Sequence, residues 1–329
     1  MGSEMCIRDR SLIRKKEYDL IMTTKSVILN SEITIEIEIY RRDRVQMTRI
    51  NIGNLTLNYE ECGAGPAFIF IPGLVGLHNA WSFQLDHFCK QYRCVTFDHR
   101  GTGQSDKPVF DGAYSTQVIA DDVVSLMDKL KIEKAHIVGT STGGCILQNI
   151  ALDHSSRVRA CIFNNTWVTA DEFITRVALT RKRIALSYGA EEYVKVSTMF
   201  TSGADQFRHN LDAVMALEKK ALETVGSVEI LTARLDMMLA HNRRDEIHKI
   251  NKPSFIIGTV DDATIPYYFA EDLHSAIPGS EMLIFEDGGH YSYRRHPKKW
   301  NKTIEKFLSF AELNVCLISI SRSLTKGDF

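Results

Sequence analysis

The chain has 329 residues, 44% of them hydrophobic and 25% charged, which suits one large α/β domain or two small ones. Forty basic residues stand against forty-one acidic ones, so no charge excess points to nucleic acid or to a membrane surface. No run of about 18 apolar residues occurs, and the apolar segment Leu313–Ile320 is too short to span a bilayer.

Met1–Arg10 looks like translated library-adapter sequence, and residues 11–46 alternate charge with Ile and Val without a domain pattern. The run Ile33–Tyr40 does alternate as an added edge strand would. The text changes character at Met47, which reads as the true start of a compact enzyme. Leu55–Glu60 alternates like a strand, and Ala67–Ile71 is a short apolar run suited to a strand buried on both faces. A turn at Pro72–Gly76, a helix over Trp81–Tyr92 and a strand over Arg93–Phe97 follow. Ile119, Val123, Leu126 and Leu130 mark a helix by their spacing. Ala135–Val138 is another buried strand, breaking at Gly139 into a helix to about His154, and Arg159–Asn164 is again strand-like. Residues 167–245 are helical, long and charged. The alternation resumes with strand Pro253–Thr259, helix Tyr267–Ser275, strand Glu281–Phe285 and helix Pro297–Phe310.

This order predicts an α/β fold with a mostly parallel sheet covered by helices on both faces. The core comprises residues 47–166 and 246–312, with an inserted helical cap over 167–245, a tail over 313–329 and an extension over 1–46. Seven cysteines, odd in number and without close spacing, speak against a disulfide framework or a structural zinc site and fit a cytoplasmic protein. No cofactor is called for.

Three points on this map carry chemistry. Gly139-Thr140-Ser141-Thr142-Gly143 lies between a buried strand and a helix, where a serine needs a sharp turn and glycines let strand and helix approach. The helix start aims the Thr142 N–H at that serine as an oxyanion donor. Histidine is the natural activator, because its free pKa lies near neutrality. Of eleven histidines, His290 follows Gly288-Gly289 directly after the last strand, on a loop that reaches the same sheet edge. His296, His274 and His154 fall at a helix start or on helices and suit surface or rim positions. The orienting carboxylate belongs after strand Pro253–Thr259, where Asp261 and Asp262 stand side by side; either can instead cap the next helix. A second oxyanion donor belongs in Pro72–Gly76, with Leu74 N–H favoured.

Pro72-Gly73, Asp98-His-Arg-Gly-Thr-Gly-Gln-Ser105, Gly139–Gly143 and Gly288-Gly-His290 together resemble the α/β-hydrolase superfamily over about residues 50–310. The resemblance implies an eight-stranded sheet with a helical cap and a nucleophile–acid–histidine order of Ser141, Asp262 and His290. Such acids stand four residues before a proline, and counting back from Pro266 gives Asp262, while counting from Gly258 favours Asp261; Asp262 is preferred. Ile256–Pro266, Leu273–Pro278 and Asn164–Tyr188 look like the pyrimidine-utilisation protein D group of aminoacrylate or carbamate hydrolases, and the 3-oxoadipate enol-lactonases look similar in the same places. Two departures stand out: Pro72-Gly73 replaces the His-Gly of many relatives, and Ser141 is present where some aminoacrylate-group members lack a serine.

The expected activity is hydrolysis of a small ester, lactone or related acyl substrate by a serine route. Carbon–carbon or carbamate-type hydrolysis on the same fold is the alternative, and a non-catalytic receptor the third. In the cap, Arg176, Arg181, Lys182 and Arg183 are candidates to meet a substrate carboxylate or to form a solvated face. Trp167 can line the pocket or pack the hinge. The expected partner is a small molecule, with neither nucleic acid nor membrane, and a homodimer stays open.

Overall fold

The computed structural model describes residues 47–324 apart from positions 54 and 111. The expectations for residues 1–46, including a strand at Ile33–Tyr40, lie outside the described residues. Among the described residues eight strands form one sheet: β1 (Thr48–Asn51), β2 (Thr56–Cys62), β3 (Ala67–Ile71), β4 (Arg93–Phe97), β5 (Ala135–Thr140), β6 (Val158–Asn164), β7 (Ser254–Thr259) and β8 (Glu281–Phe285). Their order is β1-β2-β4-β3-β5-β6-β7-β8, with β1–β2 and β2–β4 antiparallel and every other pair parallel.

Side-chain alternation sends each central strand to two separate layers. Ile69, Ile71, Ile137, Phe163 and Ile256 point into a core shared with α2 (Thr116–Lys129), α3 (Thr142–Asp153) and α8 (Tyr268–Ala276). Phe68, Phe70, Val138, Ile162 and Ile257 point to the other face, against α1 (Ser82–Phe88) and α10 (Pro297–Leu324). Truncating a buried aromatic such as Phe163 to Ala costs about 3–5 kcal/mol in a layer of this kind. Between β6 and β7 the chain forms four helices, α4 (Glu172–Ser202, broken at Gly189), α5 (Ala204–His209), α6 (Leu211–Thr224) and α7 (Val228–Ala240), followed by the short α8 and then α9 (Ser292–Arg295) further on. Among the described residues no helix is long and apolar enough to cross a membrane.

The motif at residues 98–105 is scaffolding. The Asp98 carboxylate accepts from Asn58 Nδ2 at 2.8 Å, His78 Nδ1 at 2.7 Å, and the backbone N–H groups of His78 and Gln104 at 3.0 Å each. Burial alone would raise its pKa, but the His78 contacts and these N–H groups hold it below the ordinary carboxylate range. Arg100 grips Asp122 of α2 through two 2.6 Å hydrogen bonds, which fixes the loop to the helical layer.

Several expectations change, among them the helix over Trp81–Tyr92, which is the shorter α1. β5 runs to Thr140, not to Val138, because Gly139 and Thr140 stay in register with Phe163 and Asn164. The last helix continues to Leu324, past the expected end at Phe310, since no Gly or Pro interrupts residues 298–326. Cys62 and Cys89, expected as free thiols, are joined in a disulfide with Cα atoms 5.5 Å apart. β2 and the end of α1 are brought together by the sheet, which places two cysteines without any spacing motif side by side. Cys94, Cys145 and Cys161 are buried free thiols.

Candidate functional site

Ser141 sits at the junction of β5 and α3 with φ 55° and ψ −127°. A non-glycine residue in this region costs on the order of 1–3 kcal/mol, so the surroundings must enforce it. They do so by close packing. A Cβ on Gly139 would strike the Gly143 carbonyl, and one on Gly143 would strike the carbonyls of Ile71 and Pro72. Ser141 N–H donates to Asn164 O at 2.9 Å, and Thr166 Oγ1 donates to Ser141 O at 2.7 Å. The serine is therefore pinned to the segment that follows β6.

The loop after β3 lies directly against this turn. A Cβ built on Gly73 would stand 3.2 Å from Ser141 Cβ and 3.8 Å from its Oγ. The loop is closed by a Gly76 N–H to Gly73 O hydrogen bond of 2.9 Å. Among the described residues neither Leu74 N–H nor Thr142 N–H donates to a protein acceptor. Thr142 opens the twelve-residue α3, so its N–H lies at the positive end of a helix.

Asp262 and His290 meet on the same edge of the sheet, past the ends of β7 and β8. His290 Nδ1 donates to Asp262 Oδ2 at 2.8 Å, and both side chains are buried. The other carboxylate oxygen accepts from Thr264 N–H at 2.8 Å and Ile265 N–H at 2.9 Å. Asn165 Nδ2 donates to Oδ2 at 2.6 Å. With its proton directed at Asp262, the imidazole keeps its lone pair on Nε2. Among the described residues neither Ser141 Oγ nor His290 Nε2 has a hydrogen-bond partner, and no hydrogen bond joins the two.

The neighbouring Asp261 acts on backbone rather than on the ring. Its carboxylate accepts from Gly289 N–H at 2.7 Å and Gly288 N–H at 3.3 Å. Both glycines have positive φ (117° and 57°), so Asp261 braces the turn that delivers His290. The other histidines are engaged elsewhere, His154 with Asp121, His274 with Ser280 and His296 with Asp287.

Three of the basic residues proposed for the cap have their partners among protein side chains. Arg176 has a 78% exposed side chain paired with Glu172, four residues back on its own helix. Arg181 is buried within the helical insertion, donating to Tyr193 Oη at 2.7 Å and Ser197 Oγ at 2.9 Å, with its guanidinium over the Tyr193 ring. Lys182 is paired with Asp236 at 2.6 Å. Each of these three charges has a protein partner in this structure. Trp167 is fully buried at the start of the insertion, and its carbonyl accepts from Gln148 Nε2 at 2.7 Å. It packs in one apolar cluster with Leu231, Leu235, Met238, Ile265 and, at the margin, Leu74.

Two side chains at this edge were missed from the sequence. Asn165 joins the two halves of the site, since its backbone N–H donates to Ile257 O and its amide to Asp262. Its signal is the polar run Asn164-Asn165-Thr166 at the end of an apolar strand. Arg234 of α7 donates to the Leu74 carbonyl through Nε and Nη2. Its signal is a charge on the apolar face of a helix, three residues after Leu231. Among the described residues no cluster of His, Cys, Asp and Glu converges as metal ligands would.

Comparison with known proteins agrees with this fold. Residues 66–297 match the family model of the alpha/beta hydrolase fold. A putative carbamate hydrolase RutD from Caulobacter vibrioides is 29% identical over 270 residues, covering 80% of this chain and all of that protein. One from Caulobacter segnis is 30% identical over 239 residues, covering 73% of this chain and 90% of its own length. Among solved structures, the enol-lactonase from Burkholderia xenovorans LB400 superposes with a TM-score of 0.73 at 22% identity, covering 80% of this chain and all of the other.

Proposed function

The chain belongs to the α/β-hydrolase family, and from that premise we propose that it is a serine hydrolase cleaving a small ester, lactone or related acyl substrate through an acyl-enzyme on Ser141. The observation that carries this reading is the 2.8 Å hydrogen bond from His290 Nδ1 to the buried Asp262, at the sheet edge where Ser141 occupies its enforced turn. His290 Nε2 takes the Ser141 proton as Oγ attacks the substrate carbonyl. Asp262 holds the tautomer and stabilises the imidazolium that forms. The uncommitted N–H groups of Leu74 and Thr142 receive the oxyanion, and losing one such donor costs about 100- to 1000-fold in kcat. The imidazolium then returns its proton to the leaving group, and water releases the acyl chain by the same steps in reverse order.

We read the helical insertion as the cap over this site. The apolar cluster of Trp167, Leu231, Leu235 and Met238 beside Leu74 supports an uncharged acyl group. Turnover of short p-nitrophenyl esters and of lactones by the wild type, and none by Ser141→Ala, is expected. Undiminished turnover by that variant would overturn the assignment.

A carbamate is the second reading, favoured by the relatives named as putative carbamate hydrolases. The same serine would attack the carbamate carbonyl and expel the alcohol, leaving a carbamoyl group on Ser141, or expel the amine, leaving an alkoxycarbonyl group. Rapid-quench mass spectrometry with a small carbamate and with the matched ester separates the two, because the preferred substrate gives the faster-forming and faster-decaying adduct.

A further inference from the structure

Arg234 is a cation in an unusual place. It lies on α7, whose buried face is otherwise Thr232 and the apolar Ile230, Leu231, Leu235, Met237 and Met238, and it is only 3% exposed. Arginine is seldom so buried unless paired with a carboxylate. Among the described residues no carboxylate forms an ion pair with it. Its partners are three acceptors from the core: the Leu74 carbonyl (Nη2 at 2.5 Å, Nε at 3.2 Å), the Arg100 carbonyl (Nη1 at 2.9 Å) and His99 Nδ1 (3.2 Å from Nη2). Burial lowers its pKa to about 10, which leaves it cationic at neutral pH.

The surroundings are built to admit it. Arginine cannot accept a hydrogen bond, so His99 must present a bare Nδ1 and carry its proton on Nε2. Burial and the adjacent guanidinium both push His99 well below its ordinary pKa, which keeps the ring neutral as this contact requires. Gly76 has φ +69°, and a Cβ there would stand 2.8 Å from Arg234 Nη2 and 2.9 Å from His99 Cβ. The turn Gly73–Gly76 thus leaves the space that the guanidinium fills.

Leu74 carries the N–H expected to receive the oxyanion, and its own carbonyl is held by two prongs of Arg234. We propose that Arg234 is a positioning residue of the acyl-transfer site, fixing the Leu74 peptide so that its N–H faces the oxyanion and linking the helical insertion to that loop. The inference rests on the serine-hydrolase reading of Ser141. An unpaired buried cation beside the loop also favours negative charge there, and that charge is present in the transition state but absent in the bound ester. Removing the grip therefore weakens binding of the tetrahedral species more than binding of the substrate.

The test uses the full chain with Arg234→Met, which fills the space without charge, and Arg234→Lys, which keeps the charge without the fork. Active enzyme is counted by fluorophosphonate titration, and p-nitrophenyl butyrate kinetics are compared with inhibition by phenylboronic acid, which forms a tetrahedral adduct on serine. Arg234→Met is expected to lower kcat by about 10- to 100-fold, with KM within threefold, as small misplacement of a reacting group can. The boronate inhibition constant should weaken by the same factor as kcat/KM, and Arg234→Lys should fall between the two. If Arg234→Met does not fold, the same split between kcat and KM is read on Arg234→Lys. Unchanged kcat per titrated site overturns the proposal, as does a rise in KM equal to the loss in boronate affinity. A wild type that neither titrates nor turns over overturns the serine-hydrolase reading itself, a result distinct from either.

Discussion

Replacing Asp262 by Asn changes one atom and reverses the hydrogen-bond logic around His290. Oδ1 accepts from Thr264 N–H and Ile265 N–H at 2.8 and 2.9 Å, so the amide oxygen must stay on that side. The new NH2 then occupies the position of Oδ2, which faces two donors, Asn165 Nδ2 at 2.6 Å and His290 Nδ1 at 2.8 Å. His290 can satisfy the amide only by accepting through Nδ1, which moves its proton to Nε2 and blocks removal of the Ser141 proton. Loss of the correct tautomer in a triad of this logic costs on the order of 10⁴ in kcat. We therefore expect Asp262→Asn to lower kcat by about 10³- to 10⁴-fold while KM changes by less than threefold. Asp261→Asn should lower kcat by less than tenfold, because Asp261 acts on the Gly288–Gly289 turn and not on the ring. Steady-state hydrolysis of p-nitrophenyl butyrate, normalised to folded protein by circular dichroism, gives both numbers. Equal losses in the two variants, or an Asp262→Asn enzyme within tenfold of wild type, would refute the reasoning.

Asn165→Ala removes the 2.6 Å hydrogen bond to the buried Asp262 carboxylate and should destabilise the protein by about 1.5–3 kcal/mol, with kcat down about tenfold; urea denaturation and kinetics check it. His241, at the end of α7, lies between Thr116 Oγ1 and Gln148 Oε1, and its pKa is pushed down from 6.5 to about 3 by burial and by Arg243. Below pH 6.5 the unfolded chain takes up a proton that the folded chain refuses, so stability is full above that pH and falls as pH drops towards 3. At pH 5 the loss from this one site is about 2 kcal/mol. In His241→Gln the fall in unfolding free energy between pH 7 and pH 5, from urea denaturation, should shrink by that amount, and an unchanged fall would contradict the assignment.

Strands β3, β4 and β8 coincide with the ranges expected from sequence, because each is a short, mostly apolar stretch between polar or turn-forming segments. Ser141 and His290 were legible for a similar reason: each is placed by glycines within two residues of itself. The choice between Asp261 and Asp262 was not local. Adjacent carboxylates on one turn point apart, and only the folded loop assigns one to the imidazole and the other to Gly288 and Gly289. Asn165 and Arg234 act on residues 97 and 160 positions away, and no short pattern encodes such contacts. Charge on a helix says nothing of which neighbours meet it: Glu172 pairs with Arg176, and Tyr193 and Ser197 hold Arg181. The Cys62–Cys89 bridge stayed hidden because the fold, not spacing, brings the end of β2 to the C-terminus of α1.

The most direct test of Ser141 as nucleophile is fluorophosphonate labelling of the full chain followed by peptide mapping. The account predicts one equivalent of label on the peptide containing Ser141, none in Ser141→Ala, and slowed labelling in His290→Ala. Label that remains in Ser141→Ala, or that maps to another residue in the wild type, would contradict it.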